Sequence, residues 1–178
     1  ATDGIKGRGE LRYTVNTANR QARDHGVPGR ITTYGAAVII DLADWRCLYC
    51  GRPHDPAKGR GSVVSLDHVV PLIAGGVNNY SNVVPCCVDC NRRKVDSDLD
   101  VALERLGVNE AAFFARWNNL RGRLGMGPVT PEDVRASTLL PYETRRAARR
   151  IGRRIKQGRE KLISLGLIKH PPKHDSAA

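Results

Sequence analysis

Apolar residues in this chain recur mostly at helical spacing, broken near the middle by two short extended runs. Residues 1–30 are polar, basic and Gly-rich, and within them Glu10 to Arg23 predicts a helix with a weak stripe of Leu11, Tyr13, Val15, Ala18 and Ala22. Val27-Pro28-Gly29 marks a turn. Thr32 or Thr33 then caps a helix through Asp44, with Val38, Leu42 and Trp45 at i, i+4 and i+7 and Ile39 alongside. Residues 51–61 read as a loop. Val63 to Leu66 predicts a strand ending at Asp67-His68, and Pro71 to Asn82, rich in Gly and Asn, predicts a long connection. A second short strand, Val83-Val84, leads to a helix that begins at Val88 or Cys90 and carries Asn91, Arg92, Arg93 and Lys94.

Beyond this point the pattern is helical. Asp98 opens a helix to about Leu106. Asn109 caps another from Glu110 to about Arg121, with Ala112, Phe113, Trp117 and Leu120 on one face. Gly122 to Pro128 breaks the pattern, and Thr130-Pro131-Glu132-Asp133 starts a new helix with a cap, Pro at the first position and acids in the first turn. Pro141 interrupts again. Glu143 to Leu165 predicts a long basic helix with Ile151, Ile155 and Leu162 at helical spacing, and residues 169–178 are expected to fray. Strand, loop, strand, helix, with helices on either side, is an α+β pattern.

Composition sharpens this picture. Two Phe, two Trp and five Tyr in 178 residues predict a mostly aliphatic core, for which a bound metal is a useful staple. No apolar run approaches the roughly 20 residues of a membrane helix. Ala1 to Gly4 lack the charged and apolar regions of a signal peptide, so none is expected. The net charge of +11 points to a polyanionic partner, with nucleic acid foremost. Residues 141–178 carry +8 of it, largely on Arg145, Arg146, Arg149, Arg150, Arg153 and Arg154. This tail reads as a DNA-backbone contact or as a packed helix with its basic face in water.

Five cysteines include two C-x-x-C pairs, Cys47/Cys50 and Cys87/Cys90. Two such knuckles have the spacing of a four-cysteine Zn²⁺ site in a reducing compartment. The 36 residues between the pairs require an inserted element. Cys86 is surplus; it offers an alternative spacing to Cys87, but reads better as a core thiol. Asp67-His68 lies between the pairs at a strand end. A carboxylate for a hard cation beside an imidazole base is what phosphodiester hydrolysis needs. Asn91 offers an amide oxygen to the same cation, or a helix cap. Asn82 is a candidate to orient His68, with Asn78 and Asn79 as competitors. Arg92, Arg93 and Lys94 line the expected phosphate path or form a solvated helix face.

The run Ser65-Leu-Asp-His-Val-Val-Pro-Leu, Gly75-Gly, Ser81-Asn-Val-Val-Pro and Cys87-Val-Asp-Cys-Asn-Arg-Arg-Lys94 resembles the HNH endonuclease family. The resemblance covers about Cys47 to Lys94 and implies a ββα-metal core stapled by zinc, with flanking helices at both ends. It extends less specifically to small phage-type HNH proteins, through Arg20 to Arg23 and Gly26 to Thr32. By position it implies His68 as general base, Asn82 as the residue that orients it, and Asp67 and Asn91 as ligands of a catalytic Mg²⁺ or Mn²⁺. It likewise implies Cys47, Cys50, Cys87 and Cys90 as structural zinc ligands. The last motif residue is Asn where the family name implies His, which favours a hard ion.

The expected organisation is a basic N-terminal arm and helix (1–45), the HNH core (46–97), a helical extension (98–140) and a basic C-terminal helix and tail (141–178). The expected function is hydrolysis of DNA, in the cytoplasm of a bacterium or a phage-infected host. The alternatives are a non-catalytic zinc module that binds DNA, and a nuclease that acts within a phage packaging complex or with another protein partner. No membrane partner is expected.

Overall fold

Leu11, Val15, Ala18 and Ala22 stand at i, i+4, i+7 and i+11, and all four are buried along one face of helix α1 (Arg8–Asp24). Tyr13, which blurs this stripe in the sequence, is 72% exposed. The structure is a computed structural model that describes residues 8–55 and 63–138, with Gln157 and Ser164. The chain divides into two units, Ala1–Tyr142 and Glu143–Ala178. The basic helix expected from Glu143 to Leu165, with the six arginines Arg145 to Arg154, lies outside the described residues apart from Gln157 and Ser164.

Helix α2 (Thr33–Leu42) starts where the Thr32 hydroxyl accepts from the Gly35 N–H. It stops two residues before the expected Asp44, because Asp44 and Trp45 turn with φ of 52° and 53°. Its buried face is Ala36, Ile39 and Ile40, not Val38, Leu42 and Trp45. Trp45 stays 44% exposed, and its indole N–H donates to Asp41 at 2.7 Å.

Strands β1 (Val64–His68) and β2 (Val83–Cys87) pair antiparallel, with Leu66 opposite Pro85, Asp67 opposite Val84 and His68 opposite Val83. β2 is longer than the expected Val83-Val84 because it continues through Pro85. A two-stranded sheet tolerates proline where no ladder N–H is needed, and the Pro85 carbonyl instead accepts from Leu48 N–H at 3.0 Å. Between the strands lies a 3₁₀ turn, Leu72–Ala74. Helix α3 (Val88–Lys94) follows β2 at once, its N-terminus capped by the Cys87 sulfur. Helices α4 (Leu99–Leu106), α5 (Glu110–Arg123) and α6 (Pro131–Ala136) complete the described order, the last with the full capping box that Thr130 and Asp133 predict. The fold is α+β, a two-stranded sheet and a following helix flanked by helices.

Two apolar clusters hold these elements. One lies among α1, α2 and the sheet, and joins Leu11, Val15, Ile31, Ile39, Leu66 and Val83. The other lies under the cysteine knuckles, and joins Tyr49, Val84, Leu103, Phe113, Phe114 and Trp117. The first is aliphatic, as composition suggests. The second adds rings to an aliphatic set: both Phe of the chain, a Trp and a Tyr converge there, with Tyr49 stacked on Phe113 at 5.1 Å. Each such ring, once buried, contributes about 1.5–3 kcal/mol. Four of the nine aromatic residues are therefore concentrated where they support the cysteines.

Candidate active site

The first knuckle is shaped by backbone bonds. Gly51 N–H donates to Cys47 O at 2.8 Å, Cys47 N–H donates to Arg52 O at 2.9 Å, and Gly51 adopts φ 70°. Arg116 of α5 clamps it from below, donating to Leu48 O at 2.8 Å and to Tyr49 O. The second knuckle forms where β2 becomes α3, and Cys90 N–H donates to the Cys87 sulfur at 3.5 Å.

The four sulfurs of Cys47, Cys50, Cys87 and Cys90 lie within 4.8 Å of one another, with Cys50 and Cys87 at 3.9 Å. A zinc tetrahedron with bonds of about 2.3 Å puts its sulfurs about 3.8 Å apart, so the set fits. Hydrogen bonds from Cys47 hold the Cys50 and Cys87 thiols down, Cys87 to about 6. Arg52 adds an N–H donor to Cys50 at 3.4 Å. The same network raises the Cys47 and Cys90 thiols, so ligation by all four sulfurs releases the protons those two hold. Cys86 is buried outside this set, and burial pushes its thiol well up.

β1 ends on the two candidate residues, Asp67 and His68. Asp67 and His68 are both buried, at 7% and 8% exposure. Two partners engage the same Asp67 oxygen, Oδ2: Lys94 Nζ at 3.0 Å and Tyr49 Oη, which donates at 2.5 Å. Oδ1 is then the carboxylate oxygen left to meet a cation. Lys94 also donates to the His68 carbonyl at 2.8 Å. Asn91 Nδ2 donates to Ser65 Oγ at 2.8 Å and to Leu66 O at 3.1 Å, which brings its side chain beside the peptide that leads into Asp67. Its own carbonyl is the remaining acceptor. A carboxylate oxygen and an amide oxygen are hard donors that suit Mg²⁺ or Mn²⁺. Burial lowers the pKa of His68 below its ordinary value, which favours the neutral ring.

Two expectations are corrected. His68 Nε2 is hydrogen-bonded to Asn78 Oδ1 at 2.9 Å, and not to Asn82. Asn82 instead closes the connection between the strands: its Oδ1 accepts from Val70 N–H, and its Nδ2 donates to the Val70 and Val77 carbonyls, each at 2.8–2.9 Å. Gly76 makes room for this bridge, since a Cβ there would stand 1.9 Å from Val70 O and 2.9 Å from Asn82 Nδ2. Lys94 is not on a phosphate path, being fully buried on Asp67. Arg92 is exposed, while Arg93, also exposed, ties α3 to α4 by donating to Arg105 O.

Sequence reasoning thus missed Tyr49, ranked Asn78 only as a competitor of Asn82, and put Lys94 on the phosphate path. Lys94 left a signal. It stands four residues after Cys90, on the same helical face, and that face is buried.

Residues 47–105 match the family described as HNH endonuclease. The CRISPR-associated endonuclease Cas9 of Actinomyces naeslundii is 30% identical over 115 residues, which cover 62% of this chain and 10% of that protein. The crystal structure of the Type II-C Cas9 enzyme from Actinomyces naeslundii is 25% identical, with a TM-score of 0.42, over 75% of this chain and 14% of that one. The chain therefore spans only a small part of the relative's length. Among the described residues no helix is long and apolar enough to cross a membrane.

Proposed function

Since residues 47–105 belong to the HNH endonuclease family, we propose that this chain is a metal-dependent endonuclease that hydrolyses phosphodiester bonds in DNA. One observation carries the reading. At the end of β1 a buried imidazole adjoins a carboxylate whose one oxygen is pinned by Lys94 and Tyr49. Asp67 and Asn91 would hold a Mg²⁺ or Mn²⁺ ion. When bound, that ion supplies positive charge to the scissile phosphate and the departing 3′ oxygen. His68 takes a proton from water as the water oxygen bonds to phosphorus, the P–O3′ bond breaks, and the 3′ oxygen takes a proton from solvent, so the products carry 5′-phosphate and 3′-hydroxyl ends. Lys94 and Tyr49 hold the Asp67 carboxylate in place. The reading is tested by nicking of supercoiled plasmid by pure protein with Mg²⁺ or Mn²⁺; absence of cleavage under all metals would leave a DNA-binding zinc module.

Zinc on Cys47, Cys50, Cys87 and Cys90 is expected at one ion per chain by elemental analysis. Cys86→Ser should leave that stoichiometry unchanged, because Cys86 lies outside the sulfur set. Loss of zinc in that variant would move the site to Cys86. The metal also matters for the chemistry: Tyr49, between the two sulfurs of the first knuckle, is a direct partner of Asp67. Stripping zinc under harsh chelation should unfold the core and abolish cleavage together.

The basic residues Arg145, Arg146, Arg149, Arg150, Arg153 and Arg154 are assigned to the DNA backbone, as is exposed Arg92. Removing residues 143–178 takes away +8 of the +11 net charge. Every DNA phosphate that the shortened chain no longer neutralises should flatten the slope of log K against log salt by about 0.9. Binding titrations at several salt concentrations measure this. A folded, truncated chain with the full slope would remove the tail from the interface.

A further inference from the structure

The contact that holds His68 does not end at Asn78. Asn78 is fully buried, and its Nδ2 donates to Gly29 O and to Asn19 Oδ1, both at 3.1 Å. Asn19 lies on α1. Its Oδ1 also accepts from Ile31 N–H at 2.9 Å, and its Nδ2 donates to Ile31 O at 2.8 Å. The turn that supplies these backbone groups packs directly on Asn78: Gly29 adopts φ 109°, and a Cβ there would stand 2.6 Å from Asn78 O. None of Asn19, Gly29 or Ile31 lies in the family-matched segment, residues 47–105.

These bonds have one consistent direction. Main-chain N–H groups only donate and carbonyls only accept. The Ile31 peptide groups therefore fix which end of the Asn19 amide is oxygen. Asn19 Oδ1 and Gly29 O are both acceptors, so the atom of Asn78 facing them must be nitrogen. The other end, facing His68, is then oxygen, and an amide oxygen only accepts. His68 Nε2 must be the donor. A neutral imidazole has one proton, so Nδ1 carries the lone pair. We infer that Asn78, locked by Asn19 of α1 and the Gly29 carbonyl, positions the His68 ring and holds it as the Nε2–H tautomer, making α1 part of the catalytic unit. The catalytic consequence rests on His68 being the base: Nδ1 is then the atom that receives the proton from water. Asn78 and Asn19 are positioning residues, acting through His68.

The test is nuclear magnetic resonance of the zinc-loaded full chain, with ¹⁵N-labelled histidine, above the pKa of the ring. His68→Ala identifies the His68 signals among the five histidines. The expected result is a single tautomer, protonated at Nε2, with a coupling across the hydrogen bond from Nε2 to the side-chain carbon of Asn78. A ring protonated at Nδ1, or one averaging between forms, overturns the inference without any variant of the network. Asn19→Ala tests the reach to α1. It should average the tautomer and lower kcat by about 10- to 100-fold at unchanged KM for DNA. Asn19→Asp keeps both acceptor roles and loses only the donor to Ile31 O, so in a variant shown to be folded it should retain the tautomer. An unchanged His68 spectrum in folded Asn19→Ala overturns the role of α1. If His68→Ala itself keeps cleaving, the base assignment fails, whereas the tautomer is decided by the spectrum alone.

Discussion

His68→Ala is expected to lower DNA cleavage by about two to four orders of magnitude while leaving binding and fold intact. The size of each effect separates loss of chemistry from loss of structure. That rate loss corresponds to about 3–5.5 kcal/mol of barrier. The structural cost is smaller. The ring makes one hydrogen bond, to Asn78 Oδ1, and the strand pairing of His68 with Val83 is made by the backbone. Leaving Asn78 Oδ1 buried and unpaired costs about 1–3 kcal/mol. A domain with only about 5 kcal/mol of stability would still be more than about 90% folded after the larger loss. A depressed kcat in protein of full zinc content and near-normal Kd is therefore a catalytic effect. Cleavage within tenfold of the parent chain would remove His68 from the role of base.

The parts of the site legible in the sequence are those whose meaning is local. Two C-x-x-C pairs specify a four-sulfur site whatever folds between them, and the four sulfurs do come together. Asp67-His68 at the end of an extended run is likewise a short-range pattern, and β1 ends there. Helix starts at Thr32, Asn109 and Thr130 follow from capping chemistry within three residues, and each cap forms. What was not legible depends on residues far apart in sequence. Asn78 and Asn82 lie in the same Gly- and Asn-rich connection, and nothing local distinguishes them. Their division of labour is decided by Val70, Gly29 and Asn19, up to 59 residues away. The core is mostly aliphatic, as composition implies, but where its few rings sit was not legible for a related reason. Composition counts aromatic rings but not where they go, and Tyr49, Phe113, Phe114 and Trp117 meet only because α5 packs under the first knuckle.

The same limit explains Lys94, which reads in sequence as the third member of a basic run with Arg92 and Arg93. Replacing it should have the largest effect on stability of any single change at the site. Its side chain is completely buried, its ammonium is 3.0 Å from Asp67 Oδ2, and it donates to the His68 carbonyl. Lys94→Met keeps the length and apolar stem but leaves the Asp67 carboxylate buried without its cation. Removing one partner of such a buried pair costs about 3–5 kcal/mol, because the remaining charge is uncompensated. Urea denaturation without added Mg²⁺ measures this. Asp67→Asn in the Lys94→Met background removes the orphaned charge and should recover a large part of the loss, whereas two independent effects would simply add. That recovery should not restore cleavage, since the double variant lacks the carboxylate assigned to the catalytic cation. An additive loss of stability, or a Lys94→Met chain as stable as the parent, would mean that the pair does not hold β1 and α3 together. A Lys94→Met chain of normal stability but weakened DNA affinity would return Lys94 to the phosphate path.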